Sequence, residues 1–322
     1  MKVGVDVSPL VQTRAGTARH VRGLLRALRG RRGLQLELLS FGGPGRISSV
    51  VRDAAWYPIG LRRRARGLDV LHGTTFRGPQ KSGTPVVLTV HDLALLRYPD
   101  AFPRWHRLYG QTALRATLRA ADALVAVSEF TKREVVSLAD VSPDRIRVIP
   151  NGVEEVFTPD GPAAEGDYVL TVATLEPRKN LARAVEAAKL AGVELRVVGA
   201  RGWGGVDVPG WVGEVPDAEL AALYRGALCV LYPSLYEGFG LPVLEAMACG
   251  TPVVTSLGTA MEEVAGAAAV LVDPLDVPAL AEGIRTAEAR RVELVPRGLE
   301  RACEFTWAAA ADGVDSLWQE LA

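Results

Sequence analysis

The chain has 322 residues, of which 48% are hydrophobic and 23% are charged, and its formal net charge is zero. This length and apolar content favour two compact domains and exclude a fibrous or disordered protein. No apolar run approaches the about 18 residues that a membrane-spanning helix requires. Three widely spaced cysteines fit reduced thiols, and the first residues enter a strand pattern without a signal peptide. We therefore expect a cytoplasmic protein.

The zero net charge conceals two oppositely charged halves. Residues 1–150 contain 25 Lys and Arg against 11 Asp and Glu, a net charge of +14, and the remainder carries −14. Arginine is concentrated in "RGLLRALRGRRG" (22–33) and "LRRRARG" (61–67). The basic half could bind nucleic acid or the cytoplasmic leaflet of a membrane, or could simply be a solvated face. Nucleic acid is not expected, because no interleaved aromatic or groove-reading motif accompanies the arginines.

Short β-branched runs alternate with amphipathic helical patterns along the chain. The predicted strands are "KVGVDVS", "LQLELLSF", "DVLHG", "PVVLTVHD", "ALVAVS" and "IRVIPN" in the first half, and "YVLTVAT", "ELRVVGA", "LCVLYPS", "PVVTS" and "AVLV" in the second. Near-continuous apolar strands separated by helices are typical of parallel sheets covered on both faces. The two series predict an α/β protein with two doubly wound domains. With two such sheets facing each other, the cleft between them is the expected ligand site.

The domain boundary is predicted at "NGVEEVFTPDGPAAEGD" (151–167), which is rich in Pro, Gly and acidic residues and lacks periodicity. Beyond residue 276 the pattern is helical to the end, with one break at "CEFTW" (303–307). The final residues, "ADGVDSLWQELA", predict a terminal helix that leaves the second domain.

Two residues of the first half follow predicted strands. Gly16 lies in "VQTRAGTARHV" (11–21), where it could let the backbone close over a phosphate, although a lone glycine is commonly only a turn. His91 ends the strand in "TVHDL" and could bond a sugar hydroxyl or share in proton movement; a structural histidine fits the local sequence equally well. The histidines and cysteines show no metal-ligand spacing, so no metal site is predicted.

Positive charge for a diphosphate is available in "TLEPRKNL" (174–181). A strand is predicted to end at Thr174 and a helix to begin near Asn180. Arg178 could pair with phosphate oxygens through two N–H groups, and Lys179 could act as a point charge. Taken alone, the two residues could equally be exposed basic side chains of a loop.

The segment "EGFGLPVLE" (237–245) combines a turn, a helix start and two glutamates. Pro242 suits a first helical turn, which would leave the amides of residues 239–241 free to bind phosphate. A carboxylate repels phosphate, so Glu237 and Glu245 make sense as acceptors for hydroxyl groups on either side of it. A hexose on one side and a ribose on the other predict a sugar nucleotide as the ligand.

The block "EGFGLPVLEAMACGTPVV" (237–254) resembles the E-x7-E signature of family 4 of the retaining glycosyltransferases, which has the GT-B fold. Other segments, which precede this block, also resemble the family: "GTARHVRGLL", "TVHDLALLRYPDAFP", "AVSEFTKREV", "IRVIPNGVEEVF" and "VATLEPRKNL". They stand in the family's order, and the resemblance covers nearly the whole chain. The "TLEPRKN" and "HDLALLRYPDAFP" variants look most like bacterial mannosyltransferases of polysaccharide assembly. The resemblance implies two Rossmann-like domains facing across a cleft. The two domains are an acceptor-side domain (1–155) and a nucleotide-sugar-binding domain (165–304). A last helix (307–322) crosses back to the first domain.

The resemblance also implies an activity. It is the transfer of a hexose, with GDP-mannose favoured as donor, to a glycan, glycolipid or other acceptor, with retention and without a metal or other cofactor. Carried over residue by residue, the catalytic set is His91, Glu237, Arg178 and Lys179, and the donor-binding set is Gly16, Gly199, Phe239, Gly240, Leu241 and Glu245. Arg178 and Lys179 would bind the diphosphate and Glu245 the ribose. Gly199 lies in "VVGARGW" (197–203), which resembles the base-binding edge.

Other readings of the same residues remain open at this stage. A sugar-nucleotide epimerase of the same fold would convert the donor without a second substrate, but the E-x7-E helix argues against it. A non-catalytic sugar-nucleotide-binding protein would not need the complete set of site residues. The basic half would suit peripheral attachment to an anionic membrane that carries a lipid-linked acceptor. The sequence does not identify the acceptor, the linkage or the oligomeric state.

Overall fold

Two parallel sheets organise the chain in the computed structural model, which describes residues 1–12, 16–43, 45–102, 113–202 and 208–322. Unit 1 consists of Met1–Gly152 together with Thr306–Ala322, and unit 2 consists of Val153–Phe305. Each unit contains one sheet with helices packed against it. The predicted α/β class with two doubly wound domains is therefore confirmed.

The sheet of unit 1 has the order β2-β1-β3-β4-β5-β6, and its neighbouring strands are parallel. Its strands are β1 (Lys2–Asp6), β2 (Gln35–Leu39), β3 (Val70–Gly73), β4 (Val86–Val90), β5 (Ala123–Ala126) and β6 (Ile146–Val148). Every residue of β3, β4 and β5 is buried, because helices cover both faces of the sheet. This explains why the sequence shows continuous apolar runs here.

The sheet of unit 2 has the order β12-β11-β10-β7-β8-β9, again with parallel neighbours. Its strands are β7 (Tyr168–Val172), β8 (Glu194–Val198), β9 (Trp211–Gly213), β10 (Cys229–Tyr232), β11 (Val253–Ser256) and β12 (Val270–Val272). The chain winds outward from β7 to β9 and then returns to place β10 on the other side of β7. This reversal of strand order is where a doubly wound sheet places its ligand crevice, at the carboxyl ends of β7 and β10.

In the described part of Met1–Gly152, the first segment of unit 1, the α-helices are α1 (Pro9–Gln12), α2 (Gly16–Leu28), α3 (Arg46–Val51), α4 (Leu61–Arg64), α5 (Ala94–Arg97), α6 (Arg115–Ala120) and α7 (Glu129–Ala139). A π-helical segment, Arg52–Gly60, joins α3 to α4. The helices of unit 2 are α8 (Leu181–Ala191), α9 (Asp217–Gly226), α10 (Leu241–Ala248), α11 (Ala260–Ala265), α12 (Val277–Ala289) and α13 (Arg291–Cys303). The described residues include no helix that is long and apolar enough to cross a bilayer.

The last helix, α14 (Trp307–Leu321), belongs to unit 1 and packs against α2. Its buried residues Trp307 and Trp318 join the core formed by β1 and α2. The approach is close at Gly23, where a Cβ atom would lie 2.1 Å from the Trp307 indole. Only a residue without a side chain allows α2 and α14 to meet at this point.

Three details differ from the sequence predictions. Strand β9 was not predicted, because its three residues pair only with β8 at the sheet edge and show no clear strand pattern. The helical run after residue 276 is interrupted at Arg290 as well as near 303–307. Strand β7 ends at Val172 rather than at Thr174.

Candidate functional site

The chain that leaves β7 forms one wall of the crevice in unit 2. It passes through a single 3-10 turn, Pro177–Lys179, and reaches α8 one residue later. Asn180 joins the two with a left-handed φ of 60°, and the prediction of a helix start near this residue is confirmed. Its side-chain amide donates to the carbonyl oxygens of Pro233 (3.0 Å) and Pro274 (2.6 Å). These bonds hold the basic pair Arg178–Lys179 against the loop that follows β10.

The chain that leaves β10 forms the second wall and leads into α10. Gly240 precedes this helix with a φ of 108°, and a Cβ atom there would lie 2.8 Å from Cγ of Met261. Pro242 occupies the first helical turn, as the sequence predicts. Phe239 is buried and contacts the ring of Phe305 edge-to-face at 5.8 Å. Gly240 and the packing of Phe239 against Phe305 therefore fix the turn that places the first amides of α10.

The Glu237 carboxylate lies at the centre of a buried polar network. Its Oε1 accepts hydrogen bonds from Lys179 Nζ at 2.5 Å, Ser234 Oγ at 2.6 Å and the Tyr232 hydroxyl at 3.1 Å. Its Oε2 pairs with Arg178 Nη1 at 3.4 Å. Burial alone would raise the pKa of Glu237, but the charges of Lys179 and Arg178 and the hydrogen bonds lower it to about 2. Glu237 is therefore ionised, and both of its carboxylate oxygens have partners.

Arg178 has a second carboxylate partner. Its Nη2 donates to Glu176 Oε1 at 2.7 Å, and its Nη1 also donates to the Tyr236 carbonyl oxygen at 3.1 Å. The two cations predicted to bind a diphosphate are thus held in place by Glu176 and Glu237. Glu176 was not predicted from the sequence. Its position two residues before Arg178 was an available signal for this ion pair. Tyr232 and Ser234 were not predicted either, since nothing local marks them as partners of a distant lysine.

Glu245 has different surroundings from Glu237. It lies on the buried side of α10, with an exposed fraction of 2%, and accepts a hydrogen bond from the Tyr224 hydroxyl at 2.9 Å. The predicted contact of this carboxylate with ribose hydroxyls stays a prediction. The structure places Glu245 one helical turn inside α10, behind the first amides of the helix.

Gly199 follows β8 and touches the chain that leaves β7. A Cβ atom here would lie 2.1 Å from the carbonyl oxygen of Ala173, and φ is 150°. The Gly199 carbonyl oxygen accepts a hydrogen bond from Trp211 Nε1 at 2.9 Å. The same segment, predicted to bind the base, ends at Trp203, which lies outside the described residues.

His91 and Gly16, the two predicted site residues of the first half, lie in unit 1. His91 follows β4, and its Nε2 bonds the Thr74 carbonyl oxygen at 2.9 Å. Because a carbonyl oxygen only accepts, Nε2 carries the proton and Nδ1 keeps its lone pair. Burial lowers the pKa of His91, so the ring is neutral. Gly16 is the first residue of α2; the three residues before it lie outside the described residues.

The described part of the chain contains no group of three or more His, Cys, Asp and Glu side chains placed to hold a metal ion.

Comparison with known proteins gives consistent matches over both units. The model for glycosyltransferase family 4 matches residues 14–157, and the model for glycosyl transferases group 1 matches residues 154–297. O-antigen chain mannosyltransferase B of Escherichia coli is 32% identical over 336 residues, which cover 94% of this chain and 84% of that protein. The MMP alpha-(1->4)-mannosyltransferase of Mycolicibacterium hassiacum is 32% identical over 291 residues, covering 78% and 70%. Among solved structures, sucrose-phosphate synthase from Thermosynechococcus elongatus has a TM-score of 0.77 at 22% identity, covering 100% of this chain and 99% of that one.

Two doubly wound parallel sheets together with these matches define a glycosyltransferase with the GT-B fold. More particularly, the chain belongs to glycosyltransferase family 4. The resemblance seen in the sequence is confirmed, and the protein is a hexosyltransferase. Of the activities that the sequence left open, the comparisons support transfer rather than epimerisation or binding alone.

Three histidines of unit 1 predict how stability depends on pH. Burial lowers the pKa of His20, His72 and His91, and that of His72 falls from 6.5 to about 3. Below pH 6.5 these histidines bind protons in the unfolded chain but stay neutral in the folded chain. The free energy of unfolding therefore decreases as pH falls. For His72 alone the loss between pH 6.5 and pH 5 is about 2 kcal/mol. We expect the unfolding midpoint in urea to fall over this interval.

The variant His72→Phe should show a weaker dependence over the same interval, whatever its stability at neutral pH. Glu237 acts in a separate window, because its lowered pKa contributes stability that is lost only below the ordinary carboxylate value of 4.5. A midpoint that does not change between neutral pH and pH 5 would contradict the neutral histidines.

Proposed function

We propose that the enzyme transfers a mannosyl group from GDP-mannose to a hydroxyl of a glycan, glycolipid or other acceptor, with retention at the anomeric carbon and without a metal ion. The observation that carries the proposal is the pair Arg178–Lys179, held beside the N-terminus of α10 at the crevice of unit 2. Two cations and free helix amides suit a diphosphate. Mannose is favoured because the two similar enzymes are named as mannosyltransferases.

The leaving group explains why two cations are needed. When the bond between the anomeric carbon and the phosphate oxygen breaks, negative charge develops on the departing diphosphate. Arg178 and Lys179 would stabilise this charge, which is a role that a metal ion takes in other enzymes. Their ion pairs with Glu176 and Glu237 orient both side chains before the donor arrives. A preorganised site of this kind needs little rearrangement during the reaction.

The surroundings of Glu237 argue against a covalent intermediate on its carboxylate. Oε1 accepts three hydrogen bonds and Oε2 faces Arg178, and a pKa of about 2 makes the group a weak base. We therefore propose attack from the face that the diphosphate leaves. The acceptor oxygen forms a bond to the anomeric carbon as the bond to phosphate breaks. The hydroxyl proton passes to the departing phosphate oxygen, which gives a glycoside and GDP.

The remaining site residues have binding roles in this proposal. Glu245 accepts hydrogen bonds from the ribose hydroxyls, and the backbone near Gly199 contacts the base. The amides beside Gly240 bind phosphate, because the first N–H groups of a helix have no partner within the helix and favour an anion. His91 offers its Nδ1 lone pair to a substrate hydroxyl, a role that its neutral state allows.

A donor panel tests the proposed function. Thermal unfolding of the protein is followed with GDP-mannose, UDP-glucose and ADP-glucose, each with and without EDTA. At a donor concentration 100 times Kd, binding stabilises the folded state by about 2.7 kcal/mol, which corresponds to a rise of about 5–10 °C in Tm. We expect this rise for GDP-mannose, unaffected by EDTA and smaller in Glu245→Gln.

Stereochemistry is checked in the same preparation by following slow donor hydrolysis with NMR. With retention, the released mannose appears first in the anomeric configuration that it had in the donor. The opposite anomer would contradict the same-face mechanism. A Tm rise with another donor alone would replace mannose in the proposal, and no rise with any donor would contradict the sugar-nucleotide site.

Arg178 is expected to act mainly on the transition state. In Arg178→Lys the charge remains but the two-pronged contact with Glu176 and Glu237 is lost. We expect kcat to fall by about 100-fold, as for loss of one oriented donor to a developing charge, while the donor Kd changes by less than about tenfold. Steady-state kinetics and calorimetric titration of the donor measure the two quantities.

The matched control is Arg285→Lys, since Arg285 forms an exposed ion pair with Glu282 on α12. It should leave both kcat and Kd unchanged. Equal losses in kcat and in donor affinity for Arg178→Lys would mean that this residue only binds the donor.

We also propose that unit 1 attaches the enzyme to the cytoplasmic face of an anionic membrane. The helical run from α3 to α4 exposes three large apolar side chains, Val50 (49%), Val51 (38%) and Ile59 (49%). Exposed arginines follow at positions 62–64. Apolar side chains next to basic ones are typical of helices that lie in a membrane interface. Each basic residue near such a surface contributes about 1 kcal/mol.

Vesicle sedimentation tests this attachment. Reversing the charge of Arg62, Arg63 and Arg64 to Glu should weaken binding to phosphatidylglycerol-containing vesicles by at least about 100-fold. The control reverses three exposed arginines of unit 2, Arg285, Arg290 and Arg297, which changes the net charge equally. Equal loss in both variants, or equal binding to neutral phosphatidylcholine vesicles, would contradict a specific attachment surface.

A further inference from the structure

Three side chains from other parts of unit 1 meet around His20. His20 lies on α2, His91 follows β4, Asn151 follows β6, and Trp307 begins α14. The His20 ring contacts the His91 ring edge-to-face, with centroids 4.6 Å apart and an angle of 79°. It contacts the Trp307 ring at 5.7 Å and 71°. His20 therefore joins the only predicted site histidine to the packed interior of the unit.

The protons of the two histidines follow from their partners. His20 Nδ1 lies 2.7 Å from Asn151 Oδ1, which accepts, so Nδ1 carries the proton. His91 carries its proton on Nε2, which donates to Thr74. Both rings are neutral, since burial lowers both pKa values. Within the described residues, His20 Nε2 is buried and has no hydrogen-bond partner. The cluster is therefore held by one defined bond to each ring and by ring packing.

The bond to Thr74 alone does not fix His91. One hydrogen bond sets which nitrogen carries the proton, but it leaves the ring free to tilt about that bond. Within the described residues the His91 ring also packs against the ring of His20, whose own freedom is removed by Asn151 and Trp307. His20 is 4% exposed and Asn151 is 3% exposed, so neither can turn toward solvent. Fixed rotamers behind a reacting group are what set its precision.

We propose that His20 is a positioning residue for His91, holding the imidazole so that its Nδ1 lone pair meets a substrate hydroxyl. The role of His91 in this inference rests on the proposed function, whereas the geometry of the His20–His91 pair does not depend on it. The ring of His20 makes the contact, and its N–H to Asn151 holds the ring at the correct angle. Loss of either element loosens His91 without touching the donor-diphosphate site of unit 2.

A structural role alone is the competing explanation, and His72 is its matched control. His72 is also fully buried in unit 1, bonds Thr89 Oγ1 at 2.9 Å through Nε2, and packs edge-to-face on Trp318 at 5.4 Å. Its Nδ1 is buried without a partner, like Nε2 of His20. Replacing either histidine removes a comparable buried ring and hydrogen bond. Of these two histidines, His20 is the one that packs its ring on that of His91.

The kinetic test uses His20→Phe, which keeps a ring but loses the bond to Asn151, with His72→Phe as control. We expect His20→Phe to lower kcat by about 10–100-fold, as for a small misplacement of a reacting group, with donor Kd unchanged within about twofold. In a His91→Ala background, His20→Phe should lower kcat no further. Multiplicative losses, or an equal loss in His72→Phe, would overturn the proposal. If His20→Phe does not fold, His20→Asn, which keeps the N–H but not the ring, takes its place.

A second measurement does not depend on the donor. Proton–nitrogen correlation spectra of the histidine rings should show His91 as a single Nε2–H tautomer in the wild type and in His72→Phe. In His20→Phe the Nε2–H tautomer should remain, because the Thr74 carbonyl oxygen sets it, but the His91 ring signals should broaden as the ring samples several tilts. Signals as sharp as in the wild type would overturn the proposal. If no donor is turned over by the wild type, the proposed function fails, and these spectra still decide whether His20 positions His91.

Discussion

The buried carboxylate of Glu237 is the interaction on which the site of unit 2 depends. It joins the chain after β10 to the basic pair after β7, across the point where the strand order reverses. Two charges taken out of water are tolerated only when they are paired and hydrogen-bonded, and removal of one partner costs about 3–5 kcal/mol. Tyr232 and Ser234 supply the additional hydrogen bonds. The same contacts therefore hold the loops after β7 and β10 together and fix Arg178 and Lys179, the two cations that we propose for the diphosphate.

The backbone around this network has little freedom. Asn180 adopts a left-handed conformation that its side-chain bonds to Pro233 and Pro274 stabilise. Gly240 and Gly199 have positive φ, and at both positions a Cβ atom would collide with a neighbouring residue. Such conformations persist only where the surroundings impose them, and they are concentrated at functional sites. The crevice is thus built from tight backbone approaches as well as from charges.

The site residues of the two units differ in charge. Unit 2 buries charges and pairs them, as Glu237 and Lys179 show. In unit 1 the rings of His20, His72 and His91 are neutral, because burial lowers their pKa values, and each ring bonds an uncharged oxygen. Paired charges suit the stabilisation of a leaving diphosphate, and neutral imidazoles suit the acceptance of hydrogen bonds from hydroxyl groups.

The sequence by itself determined the α/β class, the doubly wound sheets and the position of Arg178, Lys179, Glu237 and His91 at strand ends. These properties follow from local patterns, namely continuous apolar strands, a proline in a first helical turn and glycines before it. Only the tertiary structure decided which groups are partners. Lys179 and Glu237 are 58 residues apart, and His20 and Asn151 are 131 residues apart. No local pattern encodes such pairs, because they depend on the strand order and on helix packing, and the three-residue edge strand β9 was missed for the same reason.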